Sequence, residues 1–229
     1  MYELLLQLPL FQGVSAETLS TLVEKYRFHF LKCREGDTVV EAGDVCTHVR
    51  FVVSGAVRLT TRCRHLDVSL SQTLAAPNVL GPDSLFGVDT TYSFTAVAVD
   101  NCGVLQIAKA DYVAMLQADK VLLFNILNYL SRGMQVFASF TLGVRDGGAA
   151  EALLRWVKPL TSRTSQEVVI RYTQKDLCTL LGVRRKALLE SLADLQNAGW
   201  VSLDHRQISI HDLRHFASQI EILNANETD

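Results

Sequence analysis

The chain has 229 residues, of which 48% are hydrophobic and 20% are charged, with a formal net charge of −2. These values are typical of a soluble globular protein, and the length allows one large domain or two ordinary ones. A net charge near zero excludes a protein that coats nucleic acid over its whole surface. The five cysteines show no CxxC or Cys/His spacing, so we predict reduced thiols, no metal site and no iron–sulfur cluster.

The N-terminus is apolar at residues 4–11, but it carries Glu3, lacks a basic start and is too short to span a bilayer. We therefore expect a helix that leads into the first domain, without a secretion signal or membrane anchor, and a cytoplasmic location. A further helix is predicted from Ser15 to Tyr26, because serine is a typical N-cap residue.

Between Phe28 and Ile107 the sequence changes to short apolar runs separated by turn residues. Strands are predicted at residues 28–32, 38–43, 49–55, 56–62, 67–74, 94–99 and 103–107. Turn dipeptides at 36–37, 43–44, 54–55 and 100–101 separate several of these runs. Many short strands at this spacing indicate an antiparallel sandwich or roll.

A short helix is predicted at 108–116, followed by a much longer one from about Lys120 to about Leu142. The longer helix is apolar on more than one side, so it must bury two faces. One face is expected to pack on the strand-rich domain and the other on the same helix of a second copy. The residues predicted for this dimer face are Leu123, Leu127, Leu130, Met134 and Phe137. The alternative is a core helix that is wholly buried within one subunit.

Residues 143–148 contain three glycines and two charged residues, which predicts a hinge between domains. A helix follows at 149–160 and ends near Pro159. After Gly199, two short strands are predicted on either side of residues 204–206, and this hairpin is a candidate wing. A last helix is predicted at 211–223.

The stretch from Tyr172 to Gly199 predicts two short helices joined by a tight turn. Thr173 followed three residues later by Asp176 is a helix-start pattern, and Gly182 supplies the flexible position at the turn. The first helix has its apolar face at Leu177, Leu180 and Leu181. The second helix has Leu188, Leu189, Leu192 and Leu195 at helical spacing, predicted to point into a core.

Three consecutive cations, Arg184, Arg185 and Lys186, stand at the start of the second helix. Residues 171–190 hold five basic residues against two acidic ones, although the whole chain is slightly acidic. A local basic face suits a protein that contacts phosphate with one surface. This is the layout of a helix-turn-helix, whose second helix enters the DNA major groove by its N-terminus. The alternative for these three side chains is a solvated helix tip.

The order of these elements, together with several motifs, resembles the Crp/Fnr family of bacterial transcription regulators, over nearly the whole chain. The motifs are residues 9–13, the pattern from Gly36 through Gly43-Asp44 to residues 51–59, and residues 173–203. The resemblance implies an α+β fold in three parts. These are an N-terminal double-stranded β-roll of the cyclic-nucleotide-binding type at 1–118, a long dimerisation helix and hinge at 119–147, and a C-terminal winged helix-turn-helix at 148–229.

The resemblance also implies a homodimer that binds a pseudo-palindromic operator in double-stranded DNA, with no catalytic residues and no membrane contact. RNA polymerase is a further candidate partner. The DNA-binding residues it implies are Thr173, Gln174, Lys175, Arg184, Arg185, Lys186 and Glu190. Arg185 takes the position of an arginine that commonly reads guanine, through two parallel bonds to O6 and N7. Lys186 and Glu190 replace a common glutamate and arginine, so we expect a different operator. Arg184 replaces a small hydroxyl residue that often caps this helix.

The family holds its ligand in a cassette that corresponds to residues 78–97. The resemblance places an effector pocket at Gly81, Asp83, Phe86, Gly87, Tyr92 and Ser93. Cyclic-nucleotide binders have an arginine for the phosphate at the position of Tyr92. A tyrosine hydroxyl is neutral near pH 7 and cannot supply the charge-assisted pair that a buried phosphate needs. We therefore expect weak or absent cyclic AMP binding.

The identity of the effector stays open. An unidentified effector and a collapsed cassette without a ligand are equally compatible with these residues, and haem sensing through His29, His48 or His65 has weaker support. Two other functions are alternatives to DNA binding: a sensor module whose C-terminal helices mediate protein–protein contacts, and an enzyme regulated by the roll. The basic helix tip favours DNA over the first. The absence of nucleophile-elbow, metal or phosphate-loop spacing disfavours the second.

Overall fold

A computed structural model describes residues 5–142, 148–162 and 164–218. The predicted hinge at 143–148 lies outside these ranges except for Gly148. The part of the last predicted helix that follows residue 218 also lies outside them. Contacts divide the chain into two compact units: Met1–Leu59 with Leu74–Met134, and Thr60–Thr73 with Gln135–Asp229. Within the described ranges, no helix combines the length and the apolar character that crossing a membrane requires.

The first unit begins with a 3-10 turn at Pro9–Phe11 and helix α1 at Ala16–Lys25. The Ser15 Oγ accepts a hydrogen bond from the Thr18 N–H at 3.0 Å, which confirms the predicted N-cap. The strands that follow are β1 Phe28–Cys33, β2 Thr38–Val40, β3 His48–Ser54, β4 Ala56–Arg62, β5 Val68–Ala75, β6 Asn78–Leu80, β7 Phe94–Ala98 and β8 Cys102–Ala108. The predicted strands are confirmed. Strand β6 was not predicted, because three residues are too few to show an alternating pattern.

These strands, apart from residues 60–73 of β4 and β5, enclose the core of the first unit. One antiparallel sheet has the order β1-β8-β3-β6, and β4, β7 and β2 are successive neighbours in another. Phe11 and Phe51 meet edge to face with ring centroids 5.5 Å apart. Helix α2, Lys109–Ala118, adds the fully buried Tyr112. The roll therefore has one contiguous apolar core, as the alternating strand pattern predicts.

Helix α3 spans Lys120–Leu142, as predicted. The Asp119 Oδ1 accepts from the Val121 N–H at 2.7 Å and so fixes its start. Leu122 and Ile126 are buried in the core of the first unit, which gives the helix one packed face. Among the residues predicted for a dimer face, Leu130 is partly buried against this core. The other four are exposed: Leu123, Leu127, Met134 and Phe137.

The second unit contains helix α4 Ala149–Leu160, β9 Ser165–Tyr172, helix α5 Gln174–Leu181, helix α6 Arg185–Asn197, β10 Ser202–Asp204 and β11 Gln207–Ile210. Residues 213–218 are also helical. The strands lie in the order β10-β11-β9-β5, with antiparallel pairing of β10 to β11 and of β11 to β9. The predicted helix-turn-helix and wing hairpin are confirmed. Strand β9 was not predicted, although alternate residues Val168 and Ile170 are buried.

The far end of the β4–β5 hairpin, Thr60–Thr73, belongs to this second unit. Val68 and Leu70 are buried in its core. The buried Gln72 side chain uses both ends of its amide: Nε2 donates to the Leu160 carbonyl at 3.0 Å, and Oε1 accepts from the Ser162 N–H at 2.8 Å. The hairpin therefore supplies an extra strand and a side-chain clamp to the unit that holds the helix-turn-helix.

Candidate nucleic-acid interface

Local hydrogen bonds fix both ends of helix α5. The Thr173 Oγ1 accepts from the Asp176 N–H at 3.2 Å and donates to Asp176 Oδ2 at 2.6 Å. At the other end Gly182 has φ +68, the left-handed conformation in which glycine is favoured, and its N–H donates to the Cys178 carbonyl. The predicted start and turn are therefore confirmed, and they set the direction in which the chain enters α6.

The start of α5 is also bound to the tip of the β4–β5 hairpin. The Thr173 N–H donates to the Asp67 carbonyl at 3.1 Å, and the Asp67 N–H donates to Asp176 Oδ2 at 3.2 Å. The Thr173 hydroxyl, together with the Asp67 N–H, holds the pKa of the Asp176 carboxyl below its usual value. Asp176 is therefore a shared acceptor between the helix cap and the hairpin.

Helix α6 presents its apolar face to the core through Leu188, Leu192 and Leu195, all buried. The prediction that Leu189 also points into the core is wrong, because its side chain is 40% exposed. The spacing i, i+4, i+7 keeps the three buried leucines on one face, whereas a helix turns by about 100° to the next residue. Leu189 consequently lies beside the core face, toward solvent.

The N-terminal tip of α6 is open and basic. Arg184, Arg185 and Lys186 are all exposed. Arg184 occupies the N-cap position without a side-chain hydrogen bond, and the first turn contains no acidic residue. The first N–H groups of a helix lack intrahelical acceptors and carry the positive end of its dipole. This tip therefore combines free donors with three cations, a combination that attracts phosphate oxygens and base acceptors.

One neighbouring charge partly offsets this basic tip. The Lys186 Nζ lies 3.7 Å from Glu190 Oε1, one helical turn later, and both side chains are largely exposed. Exposed pairs of this kind contribute only about 0.3–0.5 kcal/mol. Lys186 can therefore exchange this partner for a phosphate at low cost.

A cleft of about 290 Å³ lies beside the start of α5, lined by Tyr172, Thr173, Gln174, His205 and Arg206. The Tyr172 N–H donates to the Arg206 carbonyl at 3.0 Å, which holds the wing turn against the end of β9. Arg206 adopts φ +59 in this turn, and its side chain is exposed. Sequence reasoning predicted the wing but missed His205 and Arg206 as site residues, because the pairing of β11 with β9 is a long-range contact.

The residues predicted for an effector pocket lie in different environments. Gly81 has φ +51, and a Cβ there would lie 2.9 Å from the Phe94 ring, so the close approach requires glycine. Tyr92 is buried, whereas Asp83, Gly87 and Ser93 are exposed; Phe86 is half-buried, with the Lys109 Nζ 5.8 Å from its ring centroid. The side chains of Asp83, Tyr92 and Ser93 therefore do not share one enclosed site.

Tyr92 is bound to an arginine that sequence reasoning did not place near it. The Arg50 Nη1 donates to the Tyr92 Oη at 2.8 Å, and the Tyr92 Oη donates to the His48 carbonyl at 3.2 Å. Burial raises the pKa of Tyr92, so the hydroxyl stays protonated. Strand β3 brings Arg50 opposite Leu80, directly before Gly81. Arg50, a cation beside this cassette position, is thus held by the protein's own tyrosine.

Comparison with protein families assigns both halves of the chain. Residues 30–119 match the cyclic nucleotide-binding domain, and residues 149–218 match the Crp-like helix-turn-helix domain. A cyclic nucleotide-binding domain followed by a Crp-like helix-turn-helix is the arrangement of one class of DNA-binding transcription regulators. The chain belongs to the Crp/Fnr family of these regulators, in agreement with the resemblance stated above. Comparison with curated proteins gives no match.

Three solved structures are among those to which this chain is similar. The catabolite activator protein of Thermus thermophilus is 20% identical, with 93% of this chain and 98% of that chain covered and a TM-score of 0.48. DNR from Pseudomonas aeruginosa is 20% identical, with 95% and 96% covered and a TM-score of 0.45. FixK2 from Bradyrhizobium japonicum is 14% identical, with 84% and 96% covered and a TM-score of 0.47.

Proposed function

We propose that this regulator binds a specific DNA sequence as a homodimer and reads it with the N-terminus of α6. The observation that carries the proposal is the open tip of that helix. Arg184, Arg185 and Lys186 project into solvent there while the leucines behind them anchor the helix. A rigid helix with exposed cations at its N-terminal end is what major-groove reading requires.

The proposed DNA-binding residues have two roles, reading bases and contacting phosphates. Arg185 reads guanine, since its guanidinium can donate two parallel hydrogen bonds to O6 and N7. Thr173, Gln174 and Lys175 contact phosphates at the start of α5. Arg206 extends that contact from the wing across the neighbouring cleft, where it faces the same helix start. Phosphate contacts set position and affinity, whereas base contacts set the sequence.

The homodimer forms through the exposed side of α3. Leu123, Leu127, Met134 and Phe137 are exposed at a spacing that keeps them on one side of the helix. An adjacent side of the helix, at Leu122 and Ile126, is already packed in the core of the first unit. A second copy of the same helix is the partner that matches this apolar stripe, and it would give the two-fold symmetry of a pseudo-palindromic operator.

Cyclic AMP is not the effector in this proposal. The buried Tyr92 replaces the phosphate-binding arginine, and the adjacent Arg50 is engaged with the Tyr92 hydroxyl. Titration calorimetry with cyclic AMP is expected to give no saturable heat. Tight binding in that titration would contradict the proposal.

The experiment for DNA reading is selection of bound sequences from random DNA, followed by affinity measurements on the selected site. Arg185→Ala is expected to weaken binding to that site by about 1–3 kcal/mol and to relax the preference at one base pair. Lys175→Ala is the matched comparison: it should weaken all sequences alike and reduce the salt dependence by about one counterion. Equal binding of selected and random DNA by the unmodified chain would exclude the base-reading role.

A further inference from the structure

Two cysteines of the first unit are direct neighbours across a pair of strands. Cys33 ends β1, Cys102 begins β8, and the two are register partners in this antiparallel pair. Directly opposite residues of an antiparallel pair point to the same face of the sheet. Both side chains contact the core of the first unit, Cys102 fully buried and Cys33 partly buried. Both are free thiols.

The backbone spacing at this position fits a disulfide. Opposite residues of an antiparallel pair have their Cα atoms about 4.5 or 5.5 Å apart, and disulfides span Cα separations of about 4.4–6.8 Å. The bridge therefore needs little movement of either strand. Burial, and then the neighbouring Cys33 thiol, raises the pKa of Cys102 to about 11.

The two thiols differ in access. Strand β1 is an edge strand of the β1-β8-β3-β6 sheet, and Cys33 is followed by the exposed Arg34 and Glu35. Cys102 begins β8, the strand with which β1 pairs. Because its pKa is raised, its thiol is protonated at neutral pH. A soluble oxidant therefore meets Cys33 first, with Cys102 placed to attack it from the adjacent strand.

We propose that Cys33 and Cys102 are a reversible thiol–disulfide modification site that responds to peroxides. Cys33 releases its proton and the sulfur attacks hydrogen peroxide; the O–O bond breaks, Cys33 sulfenic acid forms, and the departing hydroxide takes up that proton and leaves as water. The Cys102 sulfur gives up its proton and attacks the Cys33 sulfur; the S–S bond forms, the S–O bond breaks, and water leaves. The two thiols together lose two electrons, and one peroxide is reduced to two waters.

The remaining cysteines have other surroundings. The buried Cys46 Sγ donates to the His48 carbonyl at 3.5 Å. Cys63 and Cys178 lie in the second unit, partly buried against its core. Cys63→Ser is accordingly a matched control, since it removes a half-buried thiol of the same chain outside the strand pair.

The first test is peptide mapping by mass spectrometry of the full chain after graded exposure to hydrogen peroxide. We expect a linked Cys33–Cys102 peptide pair that disappears with dithiothreitol. The pair should be lost in Cys33→Ser and in Cys102→Ser but retained in Cys63→Ser. Cys33 recovered as sulfinic acid beside a reduced Cys102 would overturn the proposal, as would a dominant disulfide between any other two cysteines.

A second measurement needs no substitution, in case a variant at the buried Cys102 fails to fold. Phenylarsine oxide bridges two thiols only when they are close together. One equivalent added to the reduced native chain should protect Cys33 and Cys102 together from alkylation when the chain is afterwards unfolded in denaturant, which makes both thiols accessible. Alkylation of both at the rate of the untreated chain would show that the thiols cannot be bridged, which also overturns the proposal.

Discussion

At the scale of single residues, the Tyr92 hydroxyl binds two groups of strand β3, the Arg50 guanidinium and the His48 carbonyl. We predict that Tyr92→Phe lowers the free energy of unfolding by about 1–3 kcal/mol, because it leaves the half-buried Arg50 without its acceptor. Urea unfolding measures this change. Ser93→Ala, at the exposed neighbouring position, should change stability by less than about 0.5 kcal/mol. Equal stabilities for both variants would mean that the Arg50–Tyr92 bond is not formed in solution.

Asp176 gives the stability of the chain a pH dependence. Its pKa is below the usual 3.8 in the folded chain, since the Thr173 hydroxyl and the Asp67 N–H bind its charged form. The stabilising contribution is therefore complete above that usual value and is lost as the pH falls through the lower folded pKa. Asp176→Ala should be less stable than the unmodified chain near neutral pH, and the difference should shrink in acid. Thermal unfolding at a series of pH values checks this, and a difference that grows in acid would contradict it.

Residues with local roles were predictable, whereas residues that act across the chain were not. Thr173 and Gly182 follow from helix-start and helix-stop patterns, which involve neighbours within a few positions. Arg50 and Asp67 find their partners 42 and 109 residues away. Their roles depend on strand pairing that no local pattern contains. The buried Tyr92 could be recognised as a departure from its family, but not as a partner of Arg50.

At the scale of elements, the Gln72 amide joins the hairpin to the end of α4. Gln72→Leu should destabilise the second unit by about 1–3 kcal/mol, because the Leu160 carbonyl and the Ser162 N–H lose their partners. Gln72→Glu is a graded control: a carboxylate can still accept from Ser162 but cannot donate to Leu160. Unfolding followed by the fluorescence of Trp156 and Trp200 measures the stabilities of the unmodified chain and the two variants, and the glutamate variant should lie between the other two. A leucine variant as stable as the unmodified chain would contradict the clamp.

Elements were predictable in proportion to their length and periodicity. Helix α3 was placed within its observed bounds because 23 residues give a clear repeat. Strand β9 was missed because its apolar residues Val168, Val169 and Ile170 are consecutive and do not alternate with polar ones. Leu189 was predicted to be in the core because all four leucines of α6 were assigned to one helix face. The helical repeat in fact places Leu189 about 100° around the helix from Leu188, beside that face.

At the scale of the whole molecule, the exposed side of α3 predicts the oligomeric state. Leu127→Glu should convert the proposed homodimer into a monomer, since it places a charge in the centre of the apolar stripe. Asn128→Glu adds the same charge at the next exposed position of the same helix and should leave the dimer intact. Sedimentation velocity distinguishes the two. Identical masses for both variants and the unmodified chain would exclude this stripe as the interface.

The hairpin described above also limits how the protein can be divided. Residues 60–73 belong to the second unit, whereas Leu74–Met134, which follow them in the sequence, belong to the first. The segments of the two units therefore alternate along the chain. A fragment that starts at residue 148 would lack β5, would expose the backbone edge of β9 and would leave part of its core uncovered. Unprotected edges invite pairing between molecules, so we expect such a fragment to aggregate. The helix-turn-helix unit is therefore not a separable module: it is completed by β5, a strand that a cut before residue 148 would discard.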